Sequence, residues 1–180
     1  SRYEYQRKRW KKSGHSNDNI SLQYEIMIQC FANITFLALP AIIQSYNPQD
    51  FISLLEIFGY ILWVIFFVIE HIADLKKQVC NDGLWKYTRH PNYFAEWMVW
   101  NSLIISSLPS LLYFYSIESQ LIWIGIFICL MYISKIMYST LVYYTGAIPS
   151  EYYSLKKRSD YKKVQKNTNM FFPGLPKNKQ

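Results

Sequence analysis

Lysine and arginine are missing from long stretches of this chain. None falls between residues 25 and 70, and only Lys135 falls between 93 and 142. Both stretches are apolar, and each is broken once by a short connector, Gln44-Ser45-Tyr46-Asn47-Pro48-Gln49-Asp50 in the first and residues 113–120 in the second. The breaks leave four segments, 24–43, 51–69, 93–112 and 121–143. Each has about 20 residues, the length that a bilayer core requires of a helix. Backbone polar groups in lipid must bond within the chain, so all four segments are expected to be helical. Residues 58–69 and 121–132 are apolar around the whole helix. A helix on a soluble protein shows a single apolar stripe instead, which weighs against the alternative of a soluble bundle.

The other basic residues gather in three places: six in 1–24, four in 71–92 and eight in 143–180. With four hairpin-linked spans these three segments share one membrane face, and both connectors, free of Lys and Arg, lie on the other. That is the positive-inside distribution. Tyr24, Tyr46, Tyr113, Tyr115, Tyr143 and Tyr144 stand near the span ends, as interfacial aromatics do. The expected fold is therefore all-α, an integral membrane bundle of about four transmembrane helices. A basic amphipathic arm (1–23) precedes the membrane domain (24–143), which carries a loop at 71–92. A surface helix and an aromatic, proline-containing tail follow (144–180).

The net charge of +7 raises the question of nucleic acid. The arm interleaves Arg2, Arg7, Lys8, Arg9, Lys11 and Lys12 with Tyr3, Tyr5 and Trp10, but beside a membrane span such a segment reads as a headgroup-binding arm. Membrane lipids are the expected partners, and nucleic acid is not. No cleavable signal peptide is expected, because the first segment is hydrophilic. Cys30, Cys80 and Cys129 are too far apart for a disulfide framework or a CxxC metal site, so no metal is expected. Residues 151–166 read as an amphipathic surface helix capped by Ser150, and residues 171–176 as an interfacial anchor.

Ionisable groups inside spans are costly, roughly 2.5–3.5 kcal/mol each near a helix centre. Glu56 and Lys135 read as interfacial, Lys135 by snorkelling. Glu70 and Asp74 are four apart and share a helix face, with His71 close to it; Asn92 and Glu96 are also four apart. His90-Pro91 signals a helix start, since proline suits the first helical position. That terminus favours anions, and Lys86, Arg89 and His90 stand just before it. One small region thus offers cations, backbone donors, an amide and carboxylates. Phosphate, ribose hydroxyls or a carboxamide could use them. A bond between Asn92 and Glu96 inside the bundle is the structural alternative.

The run Gly83-Leu84-Trp85-Lys86-Tyr87-Thr88-Arg89-His90-Pro91-Asn92-Tyr93-Phe94-Ala95-Glu96-Trp97 resembles the signature of the steroid 5-alpha-reductase C-terminal-domain family. It is most similar to the branch of reductase-like membrane proteins with an RHPNYfgE motif. Glu70-His71-Ile72-Ala73-Asp74 resembles the family's acidic segment before that loop. Thr145-Gly146, Glu151, Tyr161 and Phe171-Phe172-Pro173 resemble its C-terminal pattern, and Arg2-Tyr3 through Arg9-Trp10 resembles the start of that branch. The resemblance implies a multi-helix membrane fold that binds NADPH. Asp74, Asn92 and Glu96 would hold the cofactor, with Lys86, Arg89 and His90 near its phosphates and Glu151 facing it. Isoprenylcysteine methyltransferases share a similar loop but bind S-adenosylmethionine; Asn92 with Glu96 favours the reductase side.

This chain departs from the pattern in three respects. Relatives usually carry further transmembrane helices before the arm. Lys76 stands where the branch tends to have Gln, and Ala95 where it tends to have Gly. Two readings follow. In one, the protein is an NADPH-dependent reductase of a lipid or steroid enone double bond, with the catalytic residues unassigned. In the other, it is a catalytically silent accessory subunit that keeps the fold within a large membrane assembly such as a respiratory complex. The resemblance points to the endoplasmic reticulum, and the mitochondrial inner membrane is the alternative.

Overall fold

The computed structural model describes residues 2–14, 17–75 and 83–175, with the side chains of residues 2–5 left aside. Lys76, Lys77, Cys80 and Pro176 lie outside the described residues. The chain divides into two compact units, Ser1–Leu39 and Pro40–Gln180.

In the first unit, α1 (Arg2–Lys12) precedes α2 (Asp18–Ala32). The Asn17 side chain caps α2 by accepting from the backbone N–H groups of Asn19 (3.0 Å) and Ile20 (3.3 Å). The two helices are tied at Glu25. Its Oε1 accepts from the Trp10 indole at 2.6 Å and from the Arg9 guanidinium. The arm is thus folded back on the first span by a specific ion pair. A π-helical turn at Asn33–Leu37 leads into α3 (Leu39–Ser45).

The second unit holds nearly all of α3, then α4 (Leu54–Leu75), α5 (Pro91–Ile117), α6 (Gln120–Ser139), α7 (Ala147–Lys157) and α8 (Tyr161–Asn167). The described residues contain four helical segments long and apolar enough to cross a membrane: Asp18–Ser45, Leu54–Leu75, Pro91–Ile117 and Gln120–Lys157. The protein is an all-α integral membrane protein. Most of its large apolar side chains point outward, as Ile57, Phe58, Ile61, Val64 and Ile65 do on α4, and lipid covers them.

Helix α5 is the centre of this unit. Most of its buried positions are small: Ala95, Ser102, Ser106, Ser107 and Ser110 are each 0% exposed. Lipid gives apolar side chains no reason to cluster, so small residues that let helices close in become the packing device. Ser102 and Ser107 spend their hydroxyls on the carbonyls of Met98 and Ile104, both at 2.7 Å. Opposite them lies Gly59 of α4, where an added Cβ would fall 2.7 Å from both Cβ and N of Ser106. Gly59→Ala is therefore expected to push α4 off α5 and to cost about 1–3 kcal/mol, read as a lower unfolding temperature in detergent.

At the end of the unit away from the motif loop, Glu56 is a cap and not a buried charge in search of a ligand. Its Oε2 accepts from the Ser53 N–H at 2.7 Å, while the Ser53 hydroxyl accepts from the Glu56 N–H at 3.2 Å. This is a reciprocal capping box. Asn47 Nδ2 donates to the remaining oxygen at 3.0 Å.

The C-terminal region differs from the sequence expectation. A single helix over 151–166 is replaced by α7 and α8, parted at 158–160, and α7 begins four residues earlier than expected, at Ala147. Ser150 is not its cap, since its hydroxyl donates to the Ala147 carbonyl at 2.9 Å. The start is set instead by the corner at Gly146, which packs directly on the Leu141 carbonyl. Phe171 was expected to anchor in headgroups. It is instead 3% exposed, wedged among Tyr138, Phe94 and Trp97 with ring centroids 5.0, 5.9 and 6.0 Å away.

Candidate functional site

Proline at the first turn of α5 follows His90, the residue before the helix, as expected for a residue whose missing N–H costs nothing there. Gly83, with φ +60°, opens a one-turn 3₁₀ helix, Gly83–Lys86. The chain then runs through Tyr87-Thr88-Arg89 alongside the C-terminal tail. Arg89 N–H donates to the Asn169 carbonyl at 2.9 Å, and Gly174 N–H to the Tyr87 carbonyl at 3.0 Å. The Thr88 hydroxyl reaches the Phe171 carbonyl at 2.9 Å. The middle basic loop and the basic tail therefore meet at one end of the unit, stitched by backbone bonds.

Glu151 of α7 is the hub of this junction. Its Oε1 accepts from Arg89 Nε at 2.6 Å and faces His90 Nε2 at 3.1 Å; its Oε2 accepts from Gln165 Nε2 at 2.6 Å. Arg89 also donates through Nη1 to the carbonyls of Gln165 (2.9 Å) and Thr168. Both partners of the ion pair have side chains only 9% exposed. One carboxylate thus ties the motif loop, α7 and α8 together.

Beside the hub lies a cavity of about 310 Å³, lined by residues of α4 (Ala73, Asp74), the motif loop (Trp85, Arg89, His90), α5 (Asn92, Tyr93) and the C-terminal helices (Ser150, Ser154, Tyr161). Asn92 does not turn to Glu96 for its amide bond. Its Nδ2 donates to Asp74 Oδ1 at 3.1 Å, linking the start of α5 to the end of α4. The His90 ring stacks on Tyr93, centroids 5.4 Å apart. Burial, with the negative charge of Glu151 added, pushes the Tyr161 phenol up to about 12, against a smaller opposing influence of Arg89 and Ser154. Its hydroxyl therefore keeps its proton throughout the physiological range.

Of the residues expected from the sequence, Asp74, Arg89, His90 and Asn92 line one cavity, and Glu151 stands directly behind Arg89 and His90. Lys86 is exposed and Glu96 half-buried one turn further along α5; neither lines the cavity. His71 is exposed, and Glu70 stays outside the lining. Sequence reasoning missed Ser150, Ser154 and Gln165. The first two are four apart on the helix that carries Glu151, a spacing that places them on one face. Nothing local marks Gln165.

The indole N–H of Trp85 is buried and has no hydrogen-bond partner among the described residues, although its residue lines the cavity. Buried donors are nearly always satisfied, and no described residue supplies the acceptor for this one. The lining combines the Asp74 carboxylate and the Asn92 amide with the rings of Tyr93 and Tyr161.

A family model described as "Protein of unknown function (DUF1295)" matches residues 1–168. No curated protein and no solved structure matches the chain.

Proposed function

The chain belongs to the DUF1295 family, and from that premise we propose that it is a membrane-embedded, steroid 5-alpha-reductase-like protein that binds NADPH and reduces the conjugated double bond of a lipid-soluble enone. The observation that carries this reading is the convergence of Asp74, Arg89, His90 and Asn92, drawn from two helices and a loop, on one cavity. NADPH, when bound, supplies the hydride. The chain's own part is to hold and orient it. Asn92 is fixed by Asp74, so its amide is preorganised. Glu151 fixes Arg89 and His90 at the mouth of α5. Tyr161, protonated at neutral pH, packs its ring into the same wall. We place the protein in the endoplasmic reticulum membrane on the strength of the resemblance, with the mitochondrial inner membrane as the alternative.

The test is NADPH binding by the purified chain in lipid nanodiscs. Wild-type protein is expected to bind, and Asn92→Ala to weaken binding at least about tenfold, the loss of a hydrogen-bonded polar contact in a partly buried site. Binding unaffected by that change would place the site elsewhere.

A second reading is favoured by one specific feature. Arg89 is matched by Glu151 and two carbonyls, so the most prominent cation of the motif also serves as an internal strut. That suits a catalytically silent accessory subunit that keeps the fold within a larger membrane assembly. Absence of any NADPH binding, with co-purifying membrane subunits, would support it.

A further inference from the structure

The two C-terminal helices carry a charge pattern that the Glu151 junction does not use. Residues 156–166 hold six basic side chains, Lys156, Lys157, Arg158, Lys162, Lys163 and Lys166, against one acidic, Asp160. All seven residues are exposed. Arg158 meets Asp160 only at 3.7 Å, with both side chains largely in solvent, and such pairs hold weakly. Lys156 Nζ lies over the Tyr152 ring, 4.7 Å from its centroid, which leaves its charge in place. Helical geometry separates these residues from the ones that hold the junction. At about 100° per residue, Lys156 and Lys157 fall about 120–140° around α7 from Glu151. In α8, Tyr161 and Gln165 are about 40° apart, while Lys162, Lys163 and Lys166 lie about 100–200° around from Tyr161. Tyr161 is buried and Gln165 bonds Glu151. Each helix therefore grips the junction with one side and presents a cationic side outward.

What meets that side is set by where the chain leaves the bilayer. Helix α7 begins at Ala147, three residues after the π-helical turn Thr140–Tyr144 that continues the last apolar helix, so the headgroups of the same membrane are tethered beside it. Clusters of roughly 4–8 Lys or Arg next to a span recognise anionic lipid. Leu155, exposed beside Lys156 and Lys157, adds the apolar contact that an interfacial helix uses. Helix α8 also needs a restraint. It has seven residues, and Asp160 before it makes no side-chain cap. Helices so short do not persist alone, and the like charges along it repel. An anionic surface relieves the repulsion and presses both helices onto the motif loop. A soluble acidic partner would relieve the repulsion too, but no part of the fold keeps one at hand.

We propose that the cationic sides of α7 and α8 are a docking surface for anionic phospholipid headgroups, and that this contact holds the two helices on the motif loop. Lipid charge then controls the junction: in uncharged lipid α8 loosens, and the Gln165–Glu151 bond opens more often. This surface is independent of what the cavity binds.

The experiment measures hydrogen exchange of the full chain, without NADPH, in nanodiscs of phosphatidylcholine alone and of phosphatidylcholine mixed with phosphatidylserine. Phosphatidylserine is expected to slow exchange in residues 155–167 and 83–93 by at least about threefold, and high salt to undo the slowing. Joint replacement by Lys156→Gln, Lys157→Gln, Lys162→Gln, Lys163→Gln and Lys166→Gln should abolish the difference between the lipids, and Lys→Arg at the same five positions should keep it. Neutralising the arm instead, by Lys8→Gln, Lys11→Gln and Lys12→Gln, should leave it intact. The docking surface is refuted if wild-type exchange in these residues is the same in both lipids, a comparison that needs no variant to fold. It is refuted equally if the five Lys→Gln changes leave the slowing intact or if the arm changes abolish it. Inorganic phosphate that slows exchange as much in pure phosphatidylcholine, at matched ionic strength, would assign the surface to free anions and overturn the lipid contact.

Discussion

Glu151→Ala is expected to destabilise the protein by roughly 3–5 kcal/mol, the cost of leaving a buried guanidinium without its counter-charge. The size follows from what Glu151 touches. Its carboxylate bonds Arg89, His90 and Gln165, and the ion pair is largely shut off from solvent. Thermal unfolding in detergent reads the effect, and a series apportions it. Glu151→Gln keeps an oxygen acceptor and loses the charge, so it should cost less than the alanine variant. Gln165→Ala removes one hydrogen bond and should cost only about 1 kcal/mol. If all three variants unfold like the wild type, the carboxylate is not the joint between loop and tail.

Gly146→Ala should be comparably severe, at least about 3 kcal/mol, at the upper end of overpacking costs. A Cβ at this position would lie 1.9 Å from the Leu141 carbonyl oxygen and 2.8 Å from its carbon. Both are backbone atoms in the π-helical turn Thr140–Tyr144, so no side chain can swing aside. The corner must open, and α7 carries Glu151, Ser150 and Ser154 with it. Loss of NADPH binding should therefore accompany the loss of stability. Gly125→Ala is the control: nothing lies within 4 Å of its added Cβ, and no change is expected. A wild-type unfolding temperature for Gly146→Ala would show that the corner relaxes at no cost.

The membrane architecture was legible because it depends on local quantities. Segment length, the absence of charge and the clustering of Lys and Arg announce spans without reference to contacts, and Pro91 marks the start of α5 by its own chemistry. The helices overran most of the expected span ends, since helical bonding continues past the apolar core, while α4 starts three residues inside its expected span, at Leu54. Asp74 with Asn92 was half legible. Each lies in a motif, but their bond joins residues 18 apart, and spacing alone offered Glu96 as an equal partner for Asn92. The hub was illegible as geometry. Arg89 and Glu151 stand 62 residues apart, and only a fold that returns α7 to the motif loop brings them together. The same return gives Arg89 a buried carboxylate partner that its place in the motif does not announce. Phe171 was misplaced for a related reason: an aromatic pair near a membrane surface looks like an anchor until Tyr138, Phe94 and Trp97 are seen to enclose it.

The claim that the motif loop, the end of α4 and the C-terminal helices build one dinucleotide site is tested most directly by hydrogen exchange on the full chain in nanodiscs, with and without NADPH. Slowed exchange confined to residues 83–93, the last turn of α4 and residues 147–161 is the expected result. Protection located elsewhere in the bundle, or none at saturating NADPH, would contradict it.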